Sequence, residues 1–474
     1  MQAARQSLLR FLKMNQRIVR SKQIHTNSLE IKMAQLYCIL LPFRMIFQLS
    51  FLKSVFGVCA NYLPFIFHLL GLFIWMANER GRIDLSTKRG LMGEAGRLVL
   101  YLNLSSLVMA FVIQMKYGNH GGENAFLGIL GMEIYFFQYF FMFLYNYRVF
   151  RILTVATINK TLHASCLSLL FIGYFQVLVM NGIGGSIYDG LNFLGVLNSS
   201  DNLPKLCLTG VEGATAGCII GVFVMPFLLS KVLNEERKYF FEILLWIVPI
   251  LYTNSSTAYL LFVTDWIVFF IILLTKSKNP RKIIRIFLIT IICIALGLCA
   301  LFLLGVIDES VLDAVYYNLF IKPVSFDSNG STTSRTIPFY VNWGAFTEYP
   351  IIGTGNGLQG YFYERYFPSW AVNVAGSDVG VFLENSRNGI SNGGVFIPSL
   401  LSGYGIIGMA LIAHFVYRCI KENSNNKMYD DNMHDLYVIS GIAFVVMGFQ
   451  GDAYGLYFAW FMLSIPFLVR REKK

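Results

Sequence analysis

Long apolar runs alternate with short polar connectors along most of this chain. A helix needs about 20 apolar residues to cross the hydrocarbon core of a bilayer. Runs of that kind fall at 33–52, 58–76, 98–115, 125–147, 164–181, 214–232, 239–252, 257–275, 283–306, 393–417, 435–450 and 453–469. The pattern predicts an all-α, polytopic membrane protein with about 12 transmembrane helices. The run at 239–252 is short, which points to a different tilt or a partly re-entrant segment.

The polar positions give the orientation. When the connectors are taken alternately, one set holds the N-terminal tail, 77–97, 148–163, 231–238, 276–285, 418–434 and the C-terminus. That set carries 30 of the 38 Lys and Arg residues. The opposite set holds only Lys53, Lys116, Lys205, Lys322, Arg335, Arg365 and Arg387, and Arg44 lies within the first run. Cytoplasmic connectors are the basic ones, so both termini are expected in the cytoplasm.

Composition agrees. Of the 474 residues, 55% are hydrophobic and 14% charged, where soluble domains carry about 25% charged residues. An ordinary soluble enzyme and a disordered chain are both excluded. The net charge of +11 would suggest nucleic acid in a soluble protein. Here it follows the connectors, and no nucleic-acid partner is expected. The eight Cys lie mostly inside apolar runs, only Cys207 sits in a clear external loop, and no disulfide is expected. The six His show no metal-ligand spacing, so neither metal nor cofactor is expected.

Four regions follow. Residues 1–32 form a basic cytoplasmic tail to which no function is assigned. Residues 33–306 hold spans one to nine, 307–392 a long external loop, and 393–474 the last three spans with the cytoplasmic C-terminus. So long a connector in a compact protein is functional or disordered, and its Tyr, Phe and Trp content argues against disorder. Within it, Thr333 and Ser334 can cap a helix beginning near Arg335, with Pro338 in a first turn and the end before Pro350. Gly353-Thr354-Gly355-Asn356-Gly357 then reads as a turn.

The candidate chemistry lies mainly in that loop. Lys322, Arg335, Arg365 and Arg387 run against the charge bias, and arginine is suited to bidentate contact with phosphate oxygens. Solvation, or pairing with Asp327, Glu348, Glu364, Asp378 or Glu384, is the alternative. Aromatic residues at 361–370, with Tyr361, Tyr363 and Trp370 foremost, suit sugar stacking or an interfacial belt. Arg44, Glu133 and Asp265 fall within apolar runs, where a charge normally faces the bundle interior. An Arg44–Asp265 pair is compatible with their depths.

Several segments together resemble a family. They are Thr209-Gly210-Val211-Glu212-Gly213-Ala214-Thr215, then Thr253-Asn254-Ser255-Ser256-Thr257-Ala258 opening a span. Next come Ser334-Arg335 with Phe346-Thr347-Glu348-Tyr349-Pro350-Ile351-Ile352-Gly353-Thr354-Gly355. Ser391-Asn392 and Leu401-Ser402-Gly403-Tyr404-Gly405-Ile406-Ile407-Gly408 complete the series. Their order resembles the bacterial O-antigen and capsule polymerase (Wzy) family and the related O-antigen ligases. The resemblance implies a GT-C-like glycosyltransferase on the outer face of the bacterial cytoplasmic (inner) membrane. Its substrate would be oligosaccharide linked to undecaprenyl diphosphate, for capsule, O-antigen or another exopolysaccharide. It implies a diphosphate-binding role for Arg335, with Arg387 as a second, and general-base candidates in Glu212 and Glu384. Lys322, Arg365, Asn392 and Ser255 would bind substrate. A chain-length regulator and a flippase would be partners. Ligases typically carry His-Asn where this chain has Ser391-Asn392, which favours polymerase over ligase. A flippase or secondary transporter of lipid-linked sugar is the competing class, although no twofold repeat of the halves is evident.

Overall fold

A computed structural model describes residues 28–43, 63–79, 90–187 except 123, 205–277 except 211, 235 and 237, 315–322, 330–373, 394–426, 430–451 and 456–468, with isolated positions between 281 and 313. Arg44, Glu384, Arg387, Asn392, most of the predicted span at 283–306 and the tail before residue 28 lie outside the described residues, as does the side chain of Glu133.

The described residues form an all-helical protein. Its helices are α1 (Ser28–Leu40), α2 (Leu63–Asn78), α3 (Leu91–Tyr117), α4 (Ala125–Ile152), α5 (Val155–Met180), α6 (Gly213–Leu233), α7 (Lys238–Tyr252), α8 (Ser256–Lys276), α9 (Gly330–Glu348), α10 (Gly360–Tyr366), α11 (Phe396–Asn426), α12 (Asp431–Gly448) and α13 (Tyr457–Leu463). Five of them, α3, α5, α6, α8 and α11, are long and apolar enough to cross a membrane. The fold is that of a polytopic membrane protein. The predicted short run is α7, 15 residues with Pro249 inside. At about 1.5 Å per residue it falls short of the roughly 30 Å hydrocarbon core.

Ion pairs mark one end of the bundle. Arg148 joins Glu30 (2.7 Å) and Glu79 (3.2 Å), Lys276 joins Asp435 (2.6 Å), Arg418 joins Glu94 (3.2 Å) and His163 joins Glu242 (2.9 Å). These residues sit at or near the ends of α1, α2, α3, α4, α5, α7, α8, α11 and α12 that adjoin the basic connectors. The up-and-down order read from the charge pattern therefore holds for these helices.

Helix α6 is the centre: 83% of its most apolar window is buried, against 39–50% for the other four long apolar helices. Lipid tails are as apolar as leucine, so helices in a bilayer associate through close packing. Gly213, Gly217 and Gly221 recur every four residues along one face of α6 and admit the backbone leading into and along α8. A β-carbon on Gly217 would stand 2.7 Å from the α-carbon of Ala258, and one on Gly221 2.4 Å from Leu261 Cβ. Within the same helix, Ile220–Val224 forms a π-helical turn.

The described part of the region between the spans is packed against the bundle. Ile337, Val341 and Ala345 of α9 pack with Leu358, Phe362 and Tyr363 against Ala110 and Ile113 of α3 and Ala125 and Ile129 of α4, forming a second small core. Helix α9 begins at Gly330, a turn earlier than the capping residues suggested, so Thr333 lies inside it and is fully buried. Pro338 consequently falls within the helix, where Asn342 donates its side-chain amide to the Pro338 carbonyl (2.7 Å). The helix ends before Pro350, as expected.

The glycine turn after α9 docks against a break in α11. Gly405 has φ +60° and ψ −165° inside that helix. Thr354 N–H donates to Ser402 O (2.8 Å) and Gly355 N–H to Gly403 O (2.9 Å), while Ile406 N–H donates to Pro350 O (2.8 Å) and Ile407 N–H to Ile351 O (3.1 Å). The groups freed by the break are thus paired by the turn, which is what non-helical backbone inside a bundle requires.

Candidate functional site

At the end of the bundle opposite the basic connectors, residues 253–258 form the turn that leads from α7 into α8. Asn254 holds φ +46°, a left-handed conformation that asparagine tolerates better than most residues. Two neighbours fix it. Gly213, opening α6, lies so close that a β-carbon there would stand 2.2 Å from Thr253 O. Residues 205–210 lie alongside, with Leu206 N–H on Tyr252 O (2.8 Å), Leu208 N–H on Gln176 Oε1 (2.8 Å) and Gln176 Nε2 on Leu208 O (2.8 Å). Cys207 in this segment is in no disulfide among the described residues, and burial, followed by the charge of Glu212, pushes its thiol up to about 11. It is protonated at neutral pH and a poor nucleophile.

The turn carries a polar cluster. Asn318, on a π-helical turn over Tyr317–Ile321, donates to Asn254 Oδ1 (2.5 Å) and accepts from Ser256 Oγ (3.2 Å). Thr257, in the first turn of α8, donates its hydroxyl to Gln450 Oε1 (3.1 Å), just beyond the end of α12. Arg335 of α9 donates from Nη1 to Thr257 Oγ1 (3.3 Å). Among the described residues no carboxylate lies within ion-pair distance of Arg335. The guanidinium is thus brought to the N-terminal end of α8, where the helix dipole is positive and N-cap Ser255 makes no side-chain cap. A cation is disfavoured there and an anion favoured. The cluster therefore presents a positive field that no carboxylate among the described residues pairs with.

An apolar groove of about 480 Å³ opens beside it. Phe339, Tyr340, Trp343, Ile397, Leu401 and Phe449 line it, with Asn342 its polar member. Phe339 stands one helical turn from Arg335, and Phe449 adjoins Gln450. The Phe339 and Phe449 rings stack at 6.4 Å with 12° between their planes.

The sequence-derived candidates divide into two groups. Arg335, Ser255, Glu212 and Lys322 gather at the α7–α8 turn. Ser255 is buried, Glu212 is exposed at the N-cap of α6, and Lys322 directly follows the Asn318 segment. Arg365 and Tyr361 lie by the other end of α9, whereas Tyr363 and Trp370 pack along its middle. Arg365 bonds Glu348, which also accepts from Tyr366 (2.9 Å) and Tyr117 (2.9 Å). Burial tends to raise the Glu348 carboxyl, but these hydrogen bonds and the Arg365 charge together hold it below the usual carboxylate range. Pairing with Glu348, the alternative weighed for Arg365, is what the structure displays. Tyr361 donates to Gly118 O (2.9 Å) and packs beside Tyr117 and His120. Tyr363 is fully buried in the small core, so its ring is part of the packing and offers no face to a sugar. Trp370 meets Tyr340 edge to face at 5.9 Å.

Asp265 is fully buried in α8, and neither carboxylate oxygen has a partner among the described residues. Its proposed pairing with Arg44 lies outside them. Asn318 and Gln450 lie in no motif of the sequence. Only the fold brings residues so far apart in the chain to Thr257 and Asn254.

Residues 241–390 match the Wzy_C family, described as O-Antigen ligase. That stretch runs from α7 through α10 and contains Ser255, Thr257, Lys322 and Arg335, whereas Glu212 and Gln450 lie outside it. Neither the curated proteins nor the solved structures include a match to the chain. The polar turn, Arg335 and the groove-lining face of α9 thus fall inside the stretch of this polytopic membrane protein that is similar to the Wzy_C family.

Proposed function

We propose that the chain is a repeat-unit polymerase. It moves a growing glycan from a polyprenyl diphosphate carrier, undecaprenyl diphosphate by resemblance, to a lipid-linked repeat unit on the outer face of the bacterial cytoplasmic membrane. The observation that carries this reading is the guanidinium of Arg335, without a carboxylate partner among the described residues, at the positive end of α8 beside an apolar groove. A diphosphate headgroup on an isoprenoid chain matches both halves of that surface.

In the reaction, a sugar hydroxyl of the acceptor attacks the anomeric carbon of the donor. The new C–O bond forms as the bond to the diphosphate oxygen breaks, and the electron pair leaves with the diphosphate. Negative charge grows on that oxygen, so a fixed cation lowers the barrier. The hydroxyl proton passes to a base, for which exposed Glu212 beside the turn is the described candidate. Lys322, Ser255, Asn392, Arg387 and Glu384 keep the roles that the resemblance implies.

Ser391-Asn392, where ligases typically carry His-Asn, favours polymerase over ligase. Purified protein supplied with lipid-linked repeat units tests the reading. A ladder of lengthening glycan with release of polyprenyl diphosphate is expected. Transfer of finished glycan to a lipid-A-type acceptor without lengthening supports a ligase, and passage across liposomes without chain growth supports a flippase.

A further inference from the structure

The bonds around Thr257 have a direction. Arg335 has only donors, so Thr257 Oγ1 must accept from it, and the threonine hydroxyl then donates onward to Gln450 Oε1. Gln450 Oε1 is committed to that bond. The amide nitrogen must point away from Thr257, and it makes no hydrogen bond among the described residues. Gln450 is half-buried and not sealed in the core. Its neighbour Phe449 lines the apolar groove.

We propose that Gln450 is a substrate-binding residue whose Nε2 amide donates to a phosphoryl oxygen of the ligand held by Arg335. The proposal rests on the reading of Arg335 as a diphosphate-binding residue. Thr257 is a positioning residue: it fixes which way the Gln450 amide faces and holds one edge of the guanidinium. The remaining N–H groups of Arg335 and the two of Gln450 supply donors from two helices, α9 and the end of α12. Such a pair recognises an oxyanion by position as well as by charge.

The test uses the full chain in detergent and farnesyl diphosphate as a soluble probe, with binding measured by calorimetry. Wild type should bind, and Arg335→Ala should lose binding. Gln450→Leu should weaken binding about tenfold. Gln450→Glu should weaken it further, because it keeps the acceptor for Thr257 while turning a donor into a negative charge. Thermal stability of Gln450→Glu should stay near that of wild type, since the side chain keeps its shape and its acceptor for Thr257. Thr257→Ser should bind like wild type and Thr257→Val should not. If Gln450→Leu and Gln450→Glu both bind as wild type while Arg335→Ala does not, the Gln450 proposal is overturned and the Arg335 reading stands. Wild-type protein that fails to bind, or binding that survives Arg335→Ala, overturns both.

Discussion

A β-carbon on Gly353 would stand 2.4 Å from the carbonyl carbon of Gly403. Gly353 also has φ +84°, and across the same contact a β-carbon on Gly405 would lie 2.6 Å from Gly353 N. Two sequence segments about fifty residues apart are therefore one structural unit. Gly353→Ala or Gly405→Ala should each cost about 1–3 kcal/mol from the backbone conformation alone, with the steric clash added. A melting temperature unchanged in detergent for both variants would refute this packing.

Arg335→Ala should reduce polymer formation by about a hundredfold or more, the range found when a single donor to developing negative charge is removed. Membrane insertion should be unaffected, because Arg335 is half-buried at the end of the bundle. Arg335→Lys should also be impaired, since a point charge lacks the two-pronged geometry. Polysaccharide ladders from cells carrying each variant, with membrane fractions blotted for the protein, make the comparison.

Gly217→Val should wedge α6 from α8, where Ala258 leaves no room. Thr257 lies one residue away, so activity should fall along with stability. Gly441, where an added β-carbon would meet no other described atom within 4 Å, is the control. Gly441→Ala should be tolerated, and equal loss in both variants would count against the packing argument.

Acid should loosen the contact between α9 and α10. The folded carboxyl of Glu348 lies below its unfolded value. Its bonds to Arg365, Tyr366 and Tyr117 therefore contribute stability above the ordinary carboxyl range, and that contribution is lost as pH falls through the depressed value. Limited proteolysis at 349–373 should accelerate over that acidic window in wild type. In Glu348→Gln the rate should already be raised at neutral pH and depend less on acid.

The side of the membrane is open to a labelling experiment. Ser369 is exposed, and the Cys residues among the described ones are buried or half-buried. Ser369→Cys should react with a membrane-impermeant maleimide added to intact spheroplasts. Reaction only after lysis would place this face in the cytosol and remove a carrier-linked substrate displayed outside.

Much of the architecture was legible because it is written in local pattern. Apolar runs and the spacing of Lys and Arg fix helix order and alternation without reference to partners. The motif segments were legible as segments, but their meeting was not. Nothing in 253–258 announces Asn318 or Gln450, since those contacts are made by the tertiary path. The repeated glycines at 213, 217 and 221 did carry a readable signal, a four-residue spacing on one helix face. For Arg335 and Arg365, residue type alone gave equal candidacy. A carboxylate beside one, and none among the described residues beside the other, separates them.

The break at Gly405 has a mechanical consequence. Straightening α11 would strip four cross-links to the 350–355 turn inside an environment with no water to replace them. Helices α9 and α11 are therefore clamped into one rigid plate, with Arg335 on its edge. Under the proposed reaction, room for a lengthening glycan would come from the opposite side, where α9 meets the α7–α8 turn through the Arg335–Thr257 hydrogen bond.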